Sequence, residues 1–145
     1  TIDSNTDDAD LKLVVANTAQ GEIVIVLKWG EQPRDLDAHL LTGTGASSEE
    51  ISYMNRNEDY ASLDVDCMSG NGIETITITD LSRDYSYFVN NYSGEAPIAG
   101  CGATVEVFIG GSSSPKVYNV PDTDMPDGVW YVFDIIDGQI VEKNV

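Results

Sequence analysis

Basic residues are scarce in this chain. Seven lysines and arginines and one histidine stand against 25 aspartates and glutamates, giving a formal net charge of −18 over 145 residues. That balance removes the attraction to phosphate that nucleic-acid binding needs, opposes adsorption to anionic membranes, and favours cations. An acidic surface that serves only solubility explains scattered carboxylates, so clustered ones ask for more. Long hydrophobic runs are also missing, and no stretch approaches the roughly 18 apolar residues that span a bilayer. Sustained helical periodicity is absent, which sets aside helical bundles. Cysteine is limited to Cys67 and Cys101, enough for one intrachain disulfide, with partly buried free thiols as the competing state. Their separation does not resemble a zinc motif.

What the chain does contain is a succession of short β-type segments. Runs at residues 13–15, 22–28, 36–41, 51–54, 63–65, 74–79, 85–89, 104–109, 115–120, 129–136 and 139–141 alternate with turn markers rich in glycine, serine and aspartate. The pattern predicts an all-β fold, a single-domain antiparallel β-sandwich of jelly-roll or immunoglobulin-like type. Asp137-Gly138 between two strands predicts a tight hairpin with a type I′ turn. Residues 1–10 are polar and acidic and read as a linker or frayed lead-in, leaving 11–145 as the sandwich module. An opening at Thr1, without initiator methionine or signal sequence, is expected of a processed or excised piece of a larger chain.

The densest chemistry lies in Trp29-Gly30-Glu31-Gln32-Pro33-Arg34-Asp35-Leu36-Asp37-Ala38-His39-Leu40. Strand alternation places Asp35, Asp37 and His39 on one face and Leu36, Ala38 and Leu40 on the other. A second acidic run, Leu63-Asp64-Val65-Asp66, leads through Ser69-Gly70-Asn71-Gly72 to Glu74. Oxygen ligands on neighbouring strands beside a glycine-rich loop point to a hard cation, calcium above all, held by Asp35, Asp37, Asp64, Asp66, Glu74 and carbonyls of residues 70–72. Solvated acidic strand faces are the plainer account of the same residues. Parity separates them: Glu74 goes with Ile76 and Ile78 toward the core, whereas Asp64 and Asp66 face outward. A carboxylate directed inward needs a compensating cation or a place at the open rim.

His39 alone cannot build a zinc triad, and a hydrogen bond from its ring to a nearby carboxylate is the expected role. Paired aspartates can cleave glycosides, yet no nucleophile elbow, zinc-protease motif or phosphate loop is present, and no catalytic residue is assigned. Among the aromatics, Trp29 and Trp130 are expected in the core. Tyr60 and Tyr92 are expected as exposed platforms for sugar rings, with Asn91 among the amides that bind hydroxyls. Asn91-Tyr92-Ser93 also matches the N-glycosylation pattern. Lys28, in an apolar strand, could enter an isopeptide crosslink with an asparagine, although lysines in such strands more often reach out to solvent.

The same W-G-x-x-P-x-D-L-D-x-H-L segment resembles the opening of YfaP-like modules of bacterial secreted and surface proteins. Leu63-Asp64-Val65-Asp66, Gly72-Ile73-Glu74-Thr75-Ile76, Tyr87-Phe88-Val89-Asn90-Asn91-Tyr92-Ser93-Gly94 and Gly102-Ala103-Thr104-Val105-Glu106-Val107 follow in that family's order, over residues 21–145. The resemblance implies a non-catalytic β-sandwich within a multidomain protein and carries the family's acidic elements onto Asp35, Asp37, Asp64, Asp66 and Glu74. Ile73 replaces the proline usual before the glutamate. Cys67 and Cys101 stand where the family has other residues, so a disulfide between them would be a local addition. The implied module is extracellular or attached to the cell surface, calcium-stabilised and monomeric within its larger chain. Its expected ligand is a glycan or protein, bound in adhesion, with a carbohydrate-binding module or a structural spacer as the alternatives. Neither nucleic-acid binding nor membrane insertion is expected.

Overall fold

A computed structural model of the chain describes residues 21–43, 48–65, 70–110 and 114–145. The expected strand at 13–15, Asp66 and Cys67 lie outside the described residues, and with Cys67 the proposed disulfide. Among the described residues, ten strands form two antiparallel five-stranded sheets, the sandwich that the turn-punctuated pattern predicts. One sheet runs in the order β4 (Ala61–Val65), β5 (Ile73–Ile78), β1 (Ile23–Lys28), β7 (Thr104–Ile109), β8 (Lys116–Asn119). The other runs β10 (Gln139–Glu142), β9 (Val129–Ile136), β6 (Tyr85–Asn91), β2 (Leu36–Thr42), β3 (Glu49–Ile51).

Apolar alternation decides which way each strand faces. Ile23, Ile25 and Leu27 of β1 point between the sheets with Ile76 and Ile78 of β5, Val105 and Val107 of β7, and Leu36, Ala38 and Leu40 of β2. Trp29 and Trp130 join this core as expected, and the indole Nε1–H of Trp130 donates to Asn144 Oδ1 at 2.8 Å. Val24 and Val26 form a smaller cluster with Ile73 on the opposite face of the sheet, so central β1 is apolar on both sides. In β9 the alternation breaks: Val132 and Phe133 are consecutive and both buried. A bulge between Tyr87↔Phe133 and Phe88↔Tyr131 inserts the extra residue that lets both face inward.

Turn chemistry closes the architecture. Asp137 and Gly138 have φ of 52° and 72°, and Ile136 pairs with Gln139, as a type I′ hairpin requires. Where the chain passes from β5 in one sheet to β6 in the other, the Tyr85 hydroxyl donates to the Asp80 carbonyl at 2.6 Å, a tyrosine-corner contact. One expected strand is displaced. The run at 51–54 has the composition of a strand, but β3 ends at Ile51, and Ser52 and Asn55 exchange both backbone hydrogen bonds around Tyr53-Met54. The Asn55 side chain fixes this turn by donating to the Glu50 carbonyl at 3.0 Å and to Glu58 at 3.1 Å.

Candidate metal centre

The loop that delivers Asp35 is locked against the loop that delivers Glu74. Trp29 N–H donates to the Gly72 carbonyl at 3.1 Å, and Asn71 N–H donates to the Gly30 carbonyl at 2.7 Å. A Cβ on Gly72 would stand 2.2 Å from the Trp29 ring, and one on Gly70 would stand 2.5 Å from the Glu31 carbonyl oxygen. Both glycines are therefore demanded by close packing. The carbonyl of Gly72, expected among possible cation ligands, instead receives the Trp29 amide. Beyond the cis Gln32–Pro33 bond, the Trp29 indole N–H reaches the Arg34 carbonyl at 3.3 Å, and the chain enters β2.

β2 has one incompletely covered edge. Its partner β3 pairs only with Leu40 to Thr42, whereas β6 pairs along all of β2. Glu74 fills the gap: its Oε1 accepts the Ala38 amide at 2.9 Å, bridging the two sheets. This explains how a carboxylate on the inward face of β5 is buried, since it satisfies a backbone donor left over where an edge strand stops. The same reach brings Glu74 to Asp35 and Asp37. Oxygens of these three carboxylates lie within 4.8 Å of one another, with relative exposures of 8% for Asp35, 3% for Asp37 and 1% for Glu74.

Backbone contacts fix the rest of the site. Asp35 N–H donates to Ser93 Oγ at 3.0 Å, while its carbonyl accepts the Tyr92 and Ser93 amides at 3.1 and 3.2 Å. Arg34 N–H donates to Glu95 at 2.8 Å, and that bond above all holds the Glu95 carboxyl below its ordinary range. The loop after β6 is thus stitched onto the start of β2. Within the core, burial and then the charge of Glu74 push the Tyr87 hydroxyl well above the ordinary tyrosine range.

The remaining expected site residues go elsewhere. Asp64 occupies the bulge of β4, where the partners shift from Leu63↔Ile76 to Val65↔Thr75, and it is exposed. Its carboxylate accepts the hydroxyls of Ser62, at 2.7 Å, and Thr77, and it is not a member of the buried group. Tyr60, expected as an exposed platform, is 2% exposed, sits in the core and carries the Arg83 guanidinium 4.3 Å above its ring. Asn91, expected to bind a ligand's hydroxyls, uses its amide internally: Nδ2 donates to the Ala96 carbonyl at 2.8 Å and Oδ1 accepts the Gly94 amide at 3.1 Å. Tyr92 is exposed as expected. Lys28 reaches outward to Glu106 at 3.1 Å. His39 bonds the Glu50 carboxylate through Nδ1 and stacks on its cross-strand partner Phe88, centroids 5.0 Å apart. Cys101 packs against the core from the loop before β7.

Sequence reasoning counts Tyr53 among the candidate binding aromatics but prefers Tyr60 and Tyr92, and it misses Met54; the turn between Ser52 and Asn55 brings both residues out. Tyr53 and Tyr92 meet edge to face with centroids 5.6 Å apart. Ile51 and Tyr53 suit a strand, and the only opposing signal was the Ser52 and Asn55 pair that closes the turn. No family model, curated protein or solved structure matches this chain.

Proposed function

We propose that this chain is a non-catalytic, calcium-stabilised β-sandwich module of a larger bacterial extracellular or surface protein, serving adhesion or ligand binding. One observation carries the cation: three carboxylates, Asp37 and Glu74 buried and Asp35 nearer the surface, converge from the start of β2 and from β5 with oxygens within 4.8 Å. Two unit charges at that distance repel by roughly 3 kcal/mol at an effective dielectric of about 20. A buried group of three such charges favours proton uptake or cation capture. The donor set is all oxygen, which suits a hard cation, and calcium tolerates irregular cages completed by water better than magnesium does. A carboxylate has two oxygens, so Glu74 can serve the Ala38 amide with one and an ion with the other. The resemblance to YfaP-like modules, carried by the motif around Asp35 and Asp37, supports the surface-protein setting and a role without catalysis.

Thermal unfolding in calcium and in chelator tests this reading. An ion at about 100 times its dissociation constant stabilises the native state by about 2.7 kcal/mol. For a domain of this size that raises the midpoint by several degrees. The rise should vanish in Glu74→Gln, which retains an acceptor for Ala38 but removes the charge. Identical midpoints in calcium and chelator for the native chain would refute the cation.

A further inference from the structure

Tyr53, Met54 and Tyr92 are 37%, 75% and 58% exposed, and they project from backbone that is unusually well fixed for loop tips. Tyr53 and Met54 occupy the two central positions of the turn closed by the reciprocal Ser52 and Asn55 bonds, with Met54 N–H also donating to Ser52 Oγ at 3.3 Å. Tyr92 is held through its amide on the Asp35 carbonyl. Among the described residues, the core makes no use of these side chains. A two-residue turn is served by small polar residues, and neither ring belongs to the buried core. Local choices that contradict the needs of the fold mark places where another requirement acts. Rings and a thioether held on rigid backbone lose little freedom when a partner covers them.

We propose that the Tyr53, Met54 and Tyr92 patch is the docking site for a basic segment of a partner protein, whose lysine or arginine side chains lie against the two tyrosine rings. Charge complementarity selects this occupant. Tyrosine faces attract cations, and Arg83 over Tyr60 shows the same pairing within this chain. Exposed carboxylates flank the patch, Glu58 bonded to Asn55 beside Met54 and Glu95 bonded to Ser93 beside Tyr92, so the field at the rings is negative. The whole chain carries −18. Anionic ligands are repelled, and a neutral sugar would gain nothing from that field. Basic segments are attracted from a distance and then held by the rings.

Calorimetric titration with a hexa-arginine peptide at an ionic strength of about 0.15 M tests the site, with a hexa-serine peptide as control. Tyr53→Ala with Tyr92→Ala should weaken hexa-arginine binding about tenfold, as loss of two cation–ring contacts implies. Tyr92→Phe should retain the affinity, Tyr131→Ala on exposed β9 should leave it unchanged, and the Met54 methyl resonance should shift on titration. Equal affinity in the double alanine variant, equal weakening by Tyr131→Ala, or an unmoved Met54 signal would each overturn the proposal in favour of diffuse attraction to an acidic surface. Neutral polysaccharide that retards the native chain but not the double variant, without a tyrosine-dependent peptide response, would overturn it in favour of sugar binding. The dependence on Tyr53 and Tyr92 should persist in chelator, so a failure of the calcium reading and a failure of this one are separable. Unchanged far-ultraviolet circular dichroism confirms that the variants fold.

Discussion

Asp35-Leu36-Asp37 at the start of β2 and Leu63-Asp64-Val65 in β4 look alike, each setting aspartate against apolar residues in strand alternation. Their surroundings differ. Asp35 and Asp37 are nine-tenths or more buried beside Glu74, while Asp64 is exposed at a bulge and satisfied by two hydroxyls. β2 lacks a full edge partner, so a carboxylate from the other sheet enters to cap Ala38 and collects the two aspartates around it. At Asp64, by contrast, the bulge turns the side chain toward solvent and the Thr77 hydroxyl of adjacent β5. A carboxylate pattern becomes a charged interior site only where a missing hydrogen-bond partner draws in another charge.

The comparison breaks most sharply at Glu74. Glu74→Ala removes the acceptor of a buried amide and should cost about 2–4 kcal/mol in urea unfolding. Glu74→Gln keeps an acceptor and relieves repulsion, so in chelator it should lie much closer to the native chain while losing any response to calcium. If alanine and glutamine variants prove equally unstable, the bridge to Ala38 is not what holds Glu74 inside.

Gly72→Ala tests the brace behind the site. Its methyl group would meet the Trp29 ring, and shifting that indole in a filled core should cost about 1–3 kcal/mol, read from the thermal midpoint. Calcium should partly rescue this variant if the two loops are coupled to the ion, and leave its deficit untouched if they are not.

Alkaline pH probes the same interior without mutation. Burial, as the leading cause, pushes Tyr60 up to about 12 and raises Tyr85 and Tyr87 as well. The folded state therefore favours the neutral phenol, and the stability this supplies is intact below about pH 10 and declines as pH rises through the raised values. Phenolate absorbance should show a delayed class of tyrosines that ionises together with loss of near-ultraviolet circular dichroism. Ionisation of every tyrosine before unfolding would contradict the buried placement of these three.

Asp64→Ala carries the smallest expected effect, below about 1 kcal/mol, because exposed polar contacts exchange readily for water. It should leave the calcium response intact. A calcium response lost with Asp64 would erase the distinction between the two acidic segments.

Much of this fold was legible before any coordinates. Strand runs at 22–28, 36–41, 74–79, 85–89, 104–109 and 129–136 fall on β1, β2, β5, β6, β7 and β9 within a residue or two, because alternation is a local consequence of a half-buried sheet. Asp137-Gly138 announced its own turn. Within the site, parity alone pointed Glu74 inward and Asp64 outward. Tyr60 departs from its expected exposed position: aromatic residues between acidic neighbours look exposed, and only its packing just before β4 against Tyr85 and Arg83 buries it. Asn91 looked available because the residues that consume its amide, Gly94 and Ala96, act through backbone groups that composition does not reveal.

The sequence by itself determined an acidic, all-β chain with its carboxylates in strand-alternating pairs, since charge and two-residue periodicity are properties of neighbours along the chain. Tertiary structure alone decided that Asp35, Asp37 and Glu74 meet while Asp64 stays apart, and that Tyr53 stands beside Tyr92. The meeting of the three carboxylates depends on where β3 stops and on the amide it leaves for the opposite sheet to satisfy, a hydrogen bond between residues 36 positions apart that no local pattern encodes.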